Sequence, residues 1–165
     1  MRKRKNLKSP RKQARKSRQP KQPKPPHPGR TLFIDPASKS TGWAIFEEGE
    51  LLASGTIEAP AKLPIFTRLR TLFLAYQAER FRFVDEIHIE RMAGRPHFYV
   101  HWSIGVIGTA LDAFAPVKSD IPVKSWQKAV DWNGKRKPLK PYAAKVHSED
   151  ELSAIGMGIY WHGRN

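Results

Sequence analysis

The sequence predicts a single α/β domain on a five-stranded mixed sheet, an antiparallel meander followed by parallel strands, with helices on its flanks. Three observations carry this. Three short β-favouring runs lie between residues 31 and 58, separated only by turn signals, which is the pattern of a meander. Two later apolar runs, 83–91 and 117–123, each follow a segment of helical period, and a strand reached through a helix runs parallel to its neighbour. Finally, 165 residues with 39% hydrophobic content, five Trp and eight Phe suffice for one core.

The chain begins with a different kind of sequence. Residues 1–30 hold 13 of the 30 Lys and Arg and none of the 15 acidic residues, so most of the net charge of +15 sits in a tail while the rest is near neutral. This stretch is rich in Pro and Gln, with Leu7 its lone large aliphatic residue after Met1, and cannot bury enough surface to fold alone. It reads as a disordered basic tail that binds nucleic acid by neutralising phosphates, or else as a solubilising or targeting extension. The domain proper is 31–165. Cysteine is absent, which excludes a disulfide framework, a thiolate zinc site and a cysteine nucleophile. No apolar run reaches membrane-spanning length and the start lacks a hydrophobic signal region, so a soluble, cytoplasmic protein without membrane contact is expected.

The first strand, 31–35, ends on Asp35, and Pro36-Ala37-Ser38-Lys39-Ser40 then turns the chain into a second strand at 42–47. Glu48-Gly49-Glu50 makes a hairpin into a third strand at 51–58. Pro60 and Pro64 open a helix in which Ile65, Leu69, Leu72, Phe73 and Tyr76 share one side, with Arg68, Arg70 and Glu79 on others. The fourth strand, 83–91, ends in Glu90-Arg91. An apolar helix follows over 97–115, with Gly105 and Gly108 expected to permit close packing within the chain, or else a dimer contact. A short fifth strand covers 117–123, and Ser125 is expected to cap a brief helix to Val130. Asn133 to Pro141 is a basic loop whose Lys135, Arg136, Lys137 and Lys140, beside Trp126 and Trp132, offer phosphate contacts next to stacking surfaces. The last helix, about 148–160, has Glu149, Asp150 and Glu151 in its first turn, where the helix dipole favours acids, and small residues Ala154, Gly156 and Gly158 that let it lie close to a sheet.

Asp35 organises the functional reading. A carboxylate at the end of a buried strand is costly unless it is paired or holds a metal. Right-handed crossover can place the fourth strand beside the first, which brings Glu90 next to Asp35 at the carboxyl edge of the sheet, where α/β folds build sites. The alternative is that Glu90 is a solvated strand end paired with Arg91. Asp150 and Ser153, three apart, share a helix face within reach of both acids, as do His147 and Asp150.

Taken together, Ile34-Asp35-Pro36-Ala37-Ser38 with Thr41-Gly42-Trp43-Ala44, then Ile89-Glu90, then an acidic helix with Ala154-Ile155-Gly156, resembles the RuvC family of Holliday junction resolvases, and its phage-type members most. The resemblance spans nearly all of 31–161 and none of the tail. It implies the RNase H-like fold, a homodimer, and metal-dependent cutting of four-way DNA junctions. It implies Asp35, Glu90 and Asp150 as metal ligands and catalytic residues, with Ser153 in the catalytic place where the family has a second acid on the last helix. Arg91 and Arg95 join the basic loop as implied DNA contacts. An offset alignment would put Glu151 in the final ligand position, and His147-x-x-Asp150 is similar to members that use His and Asp.

Phosphodiester cleavage needs an activated water and stabilisation of developing charge, which two metal ions about 4 Å apart can supply. Hard Mg²⁺, or Mn²⁺ in its place, favours carboxylate oxygen, and no small-molecule cofactor is needed. Ser153 offers only a neutral hydroxyl, so weak metal binding or reduced activity is expected. Two rivals follow: a domain that binds branched nucleic acid without cutting it, and a phosphotransferase, since Asp35 followed by Thr41-Gly42 also resembles the phosphate loop of actin-like and sugar kinases. The latter fold needs a second lobe that this length does not provide.

Overall fold

In a computed structural model of the chain, residues 29–78, 81–91 and 98–164 are described. The basic tail up to residue 28, Glu79 and Arg95 lie outside them. The strands are β1 (Arg30–Asp35), β2 (Ser40–Glu47), β3 (Glu50–Glu58), β4 (Glu86–Arg91) and β5 (Val117–Pro122). The helices are α1 (Ile65–Tyr76), α2 (Phe98–Leu111), α3 (Val123–Ala129), the single turn α4 (Lys140–Ala143) and α5 (Glu149–His162).

The five strands form one mixed sheet in the order β3-β2-β1-β4-β5. The meander closes at Glu48 and Gly49, whose φ angles of 51° and 91° give the doubly left-handed turn that matches strand twist. β1 is central, antiparallel to β2 and parallel to β4. Both its faces are covered, which is why Thr31-Leu32-Phe33-Ile34 reads as a continuous buried run instead of an alternation.

Two helical layers divide the core. Leu32, Ile34, Ile45, Ile87 and Ile89 pack on one face against Leu72, Tyr76 and Ile107 of α1 and α2. Phe33, Ala44, Phe46 and Ile121 pack on the other against Trp126 of α3 and Leu152, Ile155 and Met157 of α5. Close approach on this second face depends on glycine. A Cβ on Gly42 would lie 1.9 Å from the Asp150 carbonyl oxygen, and one on Gly158 would lie 2.1 Å from the Phe46 ring. The small residues of α5 therefore do what their pattern predicts.

Three expectations are corrected. Gly105 and Gly108 do not serve close packing within the chain: a Cβ at either meets nothing within 4 Å, because their side of α2 points away from the sheet. Ser125 does not cap α3, which starts two residues earlier with Pro122 at its cap and no side-chain cap bond, since β5 runs straight into the helix. Arg68 is not on an outer face. It is buried, with Nη1 donating to the Ser38 carbonyl at 3.1 Å, so it braces the loop that follows Asp35.

Candidate active site

The parallel register of β1 and β4 builds the site. Ile34 pairs with Ile89, so the next residue on each strand, Asp35 and Glu90, emerges at the same level of the sheet edge. Glu90 is only 5% exposed, which excludes the solvated strand end paired with Arg91; Arg91 itself is exposed. Asp35 is half-buried, with the Ser153 hydroxyl and the Glu90 carboxyl near enough to act on its carboxyl. Asp150 on α5 is near enough for its charge to act on both acids.

The electrostatics follow. Burial, then the charges of Glu90 and Asp150, push the Asp35 carboxyl well above the usual carboxylate range, against a smaller opposing effect of the Ser153 hydroxyl. Burial also raises Glu90, while hydrogen bonds from the Trp126 indole and from Asp35 favour its anion. The Asp35 charge, after burial, also raises the Tyr76 phenol beneath the site. Burial therefore disfavours the charged form of both acids, and a neighbouring cation would offset that cost.

The start of α5 is fixed to the meander by a row of hydroxyls. Ser40 Oγ donates to Asp150 Oδ2, the Thr56 and Ser148 hydroxyls are hydrogen-bonded at 2.6 Å, and Ser54 Oγ donates to Glu151 Oε1 at 2.7 Å. Ser148 caps the helix by accepting from the Glu151 amide at 3.0 Å, and Glu151 Oε2 accepts from the His147 amide at 2.9 Å. Both Glu151 oxygens are thus spent on holding the helix start, and the side chain is 3% exposed. The arrangement favours Asp150 and Ser153 over the offset pairing with Glu151; His147 is exposed.

Asp35, Glu90, Asp150 and Ser153 do converge, but as a two-acid centre with a third acid on its flank. Among the described residues no group of three or more acid or His side chains is arranged to hold a metal. The donor chemistry nevertheless suits Mg²⁺, which is commonly held by one or two carboxylates, water and substrate phosphate. Two adjacent acids whose charged forms burial disfavours are groups whose charge a divalent cation would balance.

The basic loop is only partly as expected. Lys135, Lys137 and Lys140 are exposed, and Lys135 and Lys140 line a hollow of about 420 Å³ that reaches Ser148 and Glu149 at the start of α5. Arg136 is committed to the protein: its guanidinium lies 4.1 Å over the Trp132 ring, Nε donates to the Trp132 carbonyl at 2.5 Å, and Nη1 pairs with Glu149 at 3.0 Å. Trp126 offers no stacking surface. It is 1% exposed, and its Nε1 donates to Glu90 Oε1 at 2.6 Å. That bond, and the Ser40 bond to Asp150, are the site contacts that the sequence does not reveal; the Ser-x-Ser-Thr-Gly run after Asp35 is the one available signal for the second.

No family model matches the sequence, and no curated protein does either. Solved structures do match. A Thermus thermophilus RuvC in complex with a Holliday junction substrate superposes with a TM-score of 0.67 at 13% identity, over 79% of this chain and 90% of that one. A second structure of Thermus thermophilus RuvC gives 0.61 at 15% identity, over 79% and 91%. At that identity the likeness speaks to architecture alone: the chain has the RNase H-like fold of RuvC.

Proposed function

We propose that this chain is a divalent-metal-dependent endonuclease acting on four-way or other branched DNA. The observation that carries the reading is the register of two parallel strands, which sets half-buried Asp35 and buried Glu90 side by side at the carboxyl edge of the sheet, with Asp150 near both. The RuvC of like fold is seen holding a Holliday junction, which suggests the substrate class. Asp35 and Glu90 would hold the cation with Asp150 on its flank, and the bound ion would polarise the phosphate and make water a better nucleophile. Ser40 orients Asp150. Arg91, Arg95, Lys135, Lys137, Lys140 and the basic tail would contact phosphates, while Arg136 shapes the loop that presents the lysines.

A second copy is proposed to dock on the α1–α2 side. Phe66 and Phe98 are 71% and 58% exposed there and both meet the ring of Trp102, which with Phe66 and the open Gly105 lines an apolar hollow of about 490 Å³. Two copies would give the paired cuts that a symmetric junction requires.

One observation favours the rival, a binder that does not cut: the position beside Asp35 carries Ser153, a neutral hydroxyl. Incubating the full chain with synthetic four-way junctions and linear duplex in Mg²⁺ or Mn²⁺ separates the two. We expect slow, junction-selective nicking that Asp35→Asn abolishes and Ser153→Asp accelerates about tenfold or more, the scale of one ligand interaction. Junction binding without cleavage, in both the natural chain and Ser153→Asp, supports the binder. Cleavage unchanged in Asp35→Asn refutes the site.

A further inference from the structure

We infer that Trp126 is a positioning residue for Glu90, which rests on the metal-site reading above and deepens it. The indole Nε1 donates to Glu90 Oε1 at 2.6 Å inside the protein. The ring that carries this donor has little freedom. One side lies against α5, where a Cβ on Gly156 would sit 3.0 Å from the ring carbons. Trp132 meets it edge-on at 4.9 Å, and Trp132 is in turn covered by the Arg136 guanidinium, which is anchored to Glu149 of α5. Packing therefore fixes the indole, and the indole fixes one carboxylate oxygen.

A purely structural role would not need the N–H. Phe would fill most of the same space between α3 and α5, whereas here the ring nitrogen is directed at an acid of the proposed centre. A side chain that sets the orientation of a ligand through one hydrogen bond commonly affects metal affinity or activity by about 10–100-fold. The chain of contacts also joins the basic loop to Glu90: displacing Arg136 loosens Trp132, then Trp126, then the acid.

The test uses the full chain and Mn²⁺ binding, read by electron paramagnetic resonance of the free ion without any turnover. Trp126→Phe removes the donor and keeps an aromatic ring. Site-specific replacement of Trp126 by benzothienylalanine removes only the N–H at nearly unchanged shape, which keeps the inference testable where the Phe variant fails to fold. We expect Mn²⁺ to bind about tenfold more weakly to both, with melting temperature and metal-free junction affinity held by the benzothienyl form. Wild-type Mn²⁺ affinity in the benzothienyl form overturns the role of Trp126. Asp35→Asn separates the two levels: where it loses Mn²⁺ and the benzothienyl form does not, only the Trp126 inference falls; where it binds Mn²⁺ like wild type, the metal-site reading falls and takes this inference with it.

Discussion

The two sides of the sheet use the same residue in opposite ways. On the α5 side, Gly42, Gly156 and Gly158 are each closed off by a neighbouring backbone or ring. On the α2 side, Gly105 and Gly108 face open space, and the nearby Phe66 and Phe98 are exposed. A glycine in a helix thus marks either a contact already made or a surface left clear, and the pattern of small residues alone does not tell which. The α5 side needs its contacts because it sets Asp150 and Ser153 against Asp35. The α2 side carries none of the four site residues.

The comparison breaks most readily at Gly158. Gly158→Val drives a branched side chain into Phe46, and a loss of about 3 kcal/mol in denaturant unfolding is expected, the upper range for overpacking. A loss under about 0.5 kcal/mol contradicts the closed α5 face. Glu151→Ala removes the acceptor for the His147 amide and for Ser54, so about 1–2 kcal/mol of stability should go while Mn²⁺ affinity stays. A drop in metal affinity without loss of stability would instead make Glu151 a ligand.

On the open side the sign reverses. Gly105→Ala should stabilise the monomer by up to about 1 kcal/mol through helix propensity, and sedimentation should show weaker self-association if a second copy seats there. Destabilisation of the monomer would mean that the face is closed after all.

The smallest effect is a pH slope confined to the α5 side. Burial first, and neighbouring charge second, lift Asp35, and burial lifts Glu90, so the folded chain keeps protons that the unfolded chain has released. Stability from this pair is full below the ordinary carboxyl range and is lost as pH rises through the raised folded values. Metal-free melting temperatures should fall across that window, Asp35→Asn should flatten the fall, and Mg²⁺ should restore stability at its upper end. A slope unchanged in Asp35→Asn would place its origin elsewhere.

Much of the fold was legible because it rests on local signals: the Glu48-Gly49 turn, the period change at Pro64, and the rule that a helix between strands makes them parallel. Asp35 and Glu90 were legible for the same reason, since each ends a strand and the crossover aligns the ends. What escaped depends on side chains meeting across the fold. Trp126 in a short helix gives no sign of whether its N–H faces solvent or Glu90. Arg136 looks like any loop cation until Glu149 and Trp132 are placed around it. Arg68 belongs to the polar side of its helix by spacing, yet the loop after Asp35 folds over it and supplies a carbonyl partner.

The edge of β1 and β4 is proposed as a cation site. Anomalous diffraction from crystals of the full chain soaked in Mn²⁺ tests it most directly. We expect a peak within coordinating distance of both Asp35 and Glu90, absent in Asp35→Asn. Crystals at millimolar Mn²⁺ with an empty edge between those two carboxylates, or with the peak elsewhere and indifferent to Asp35→Asn, would contradict it.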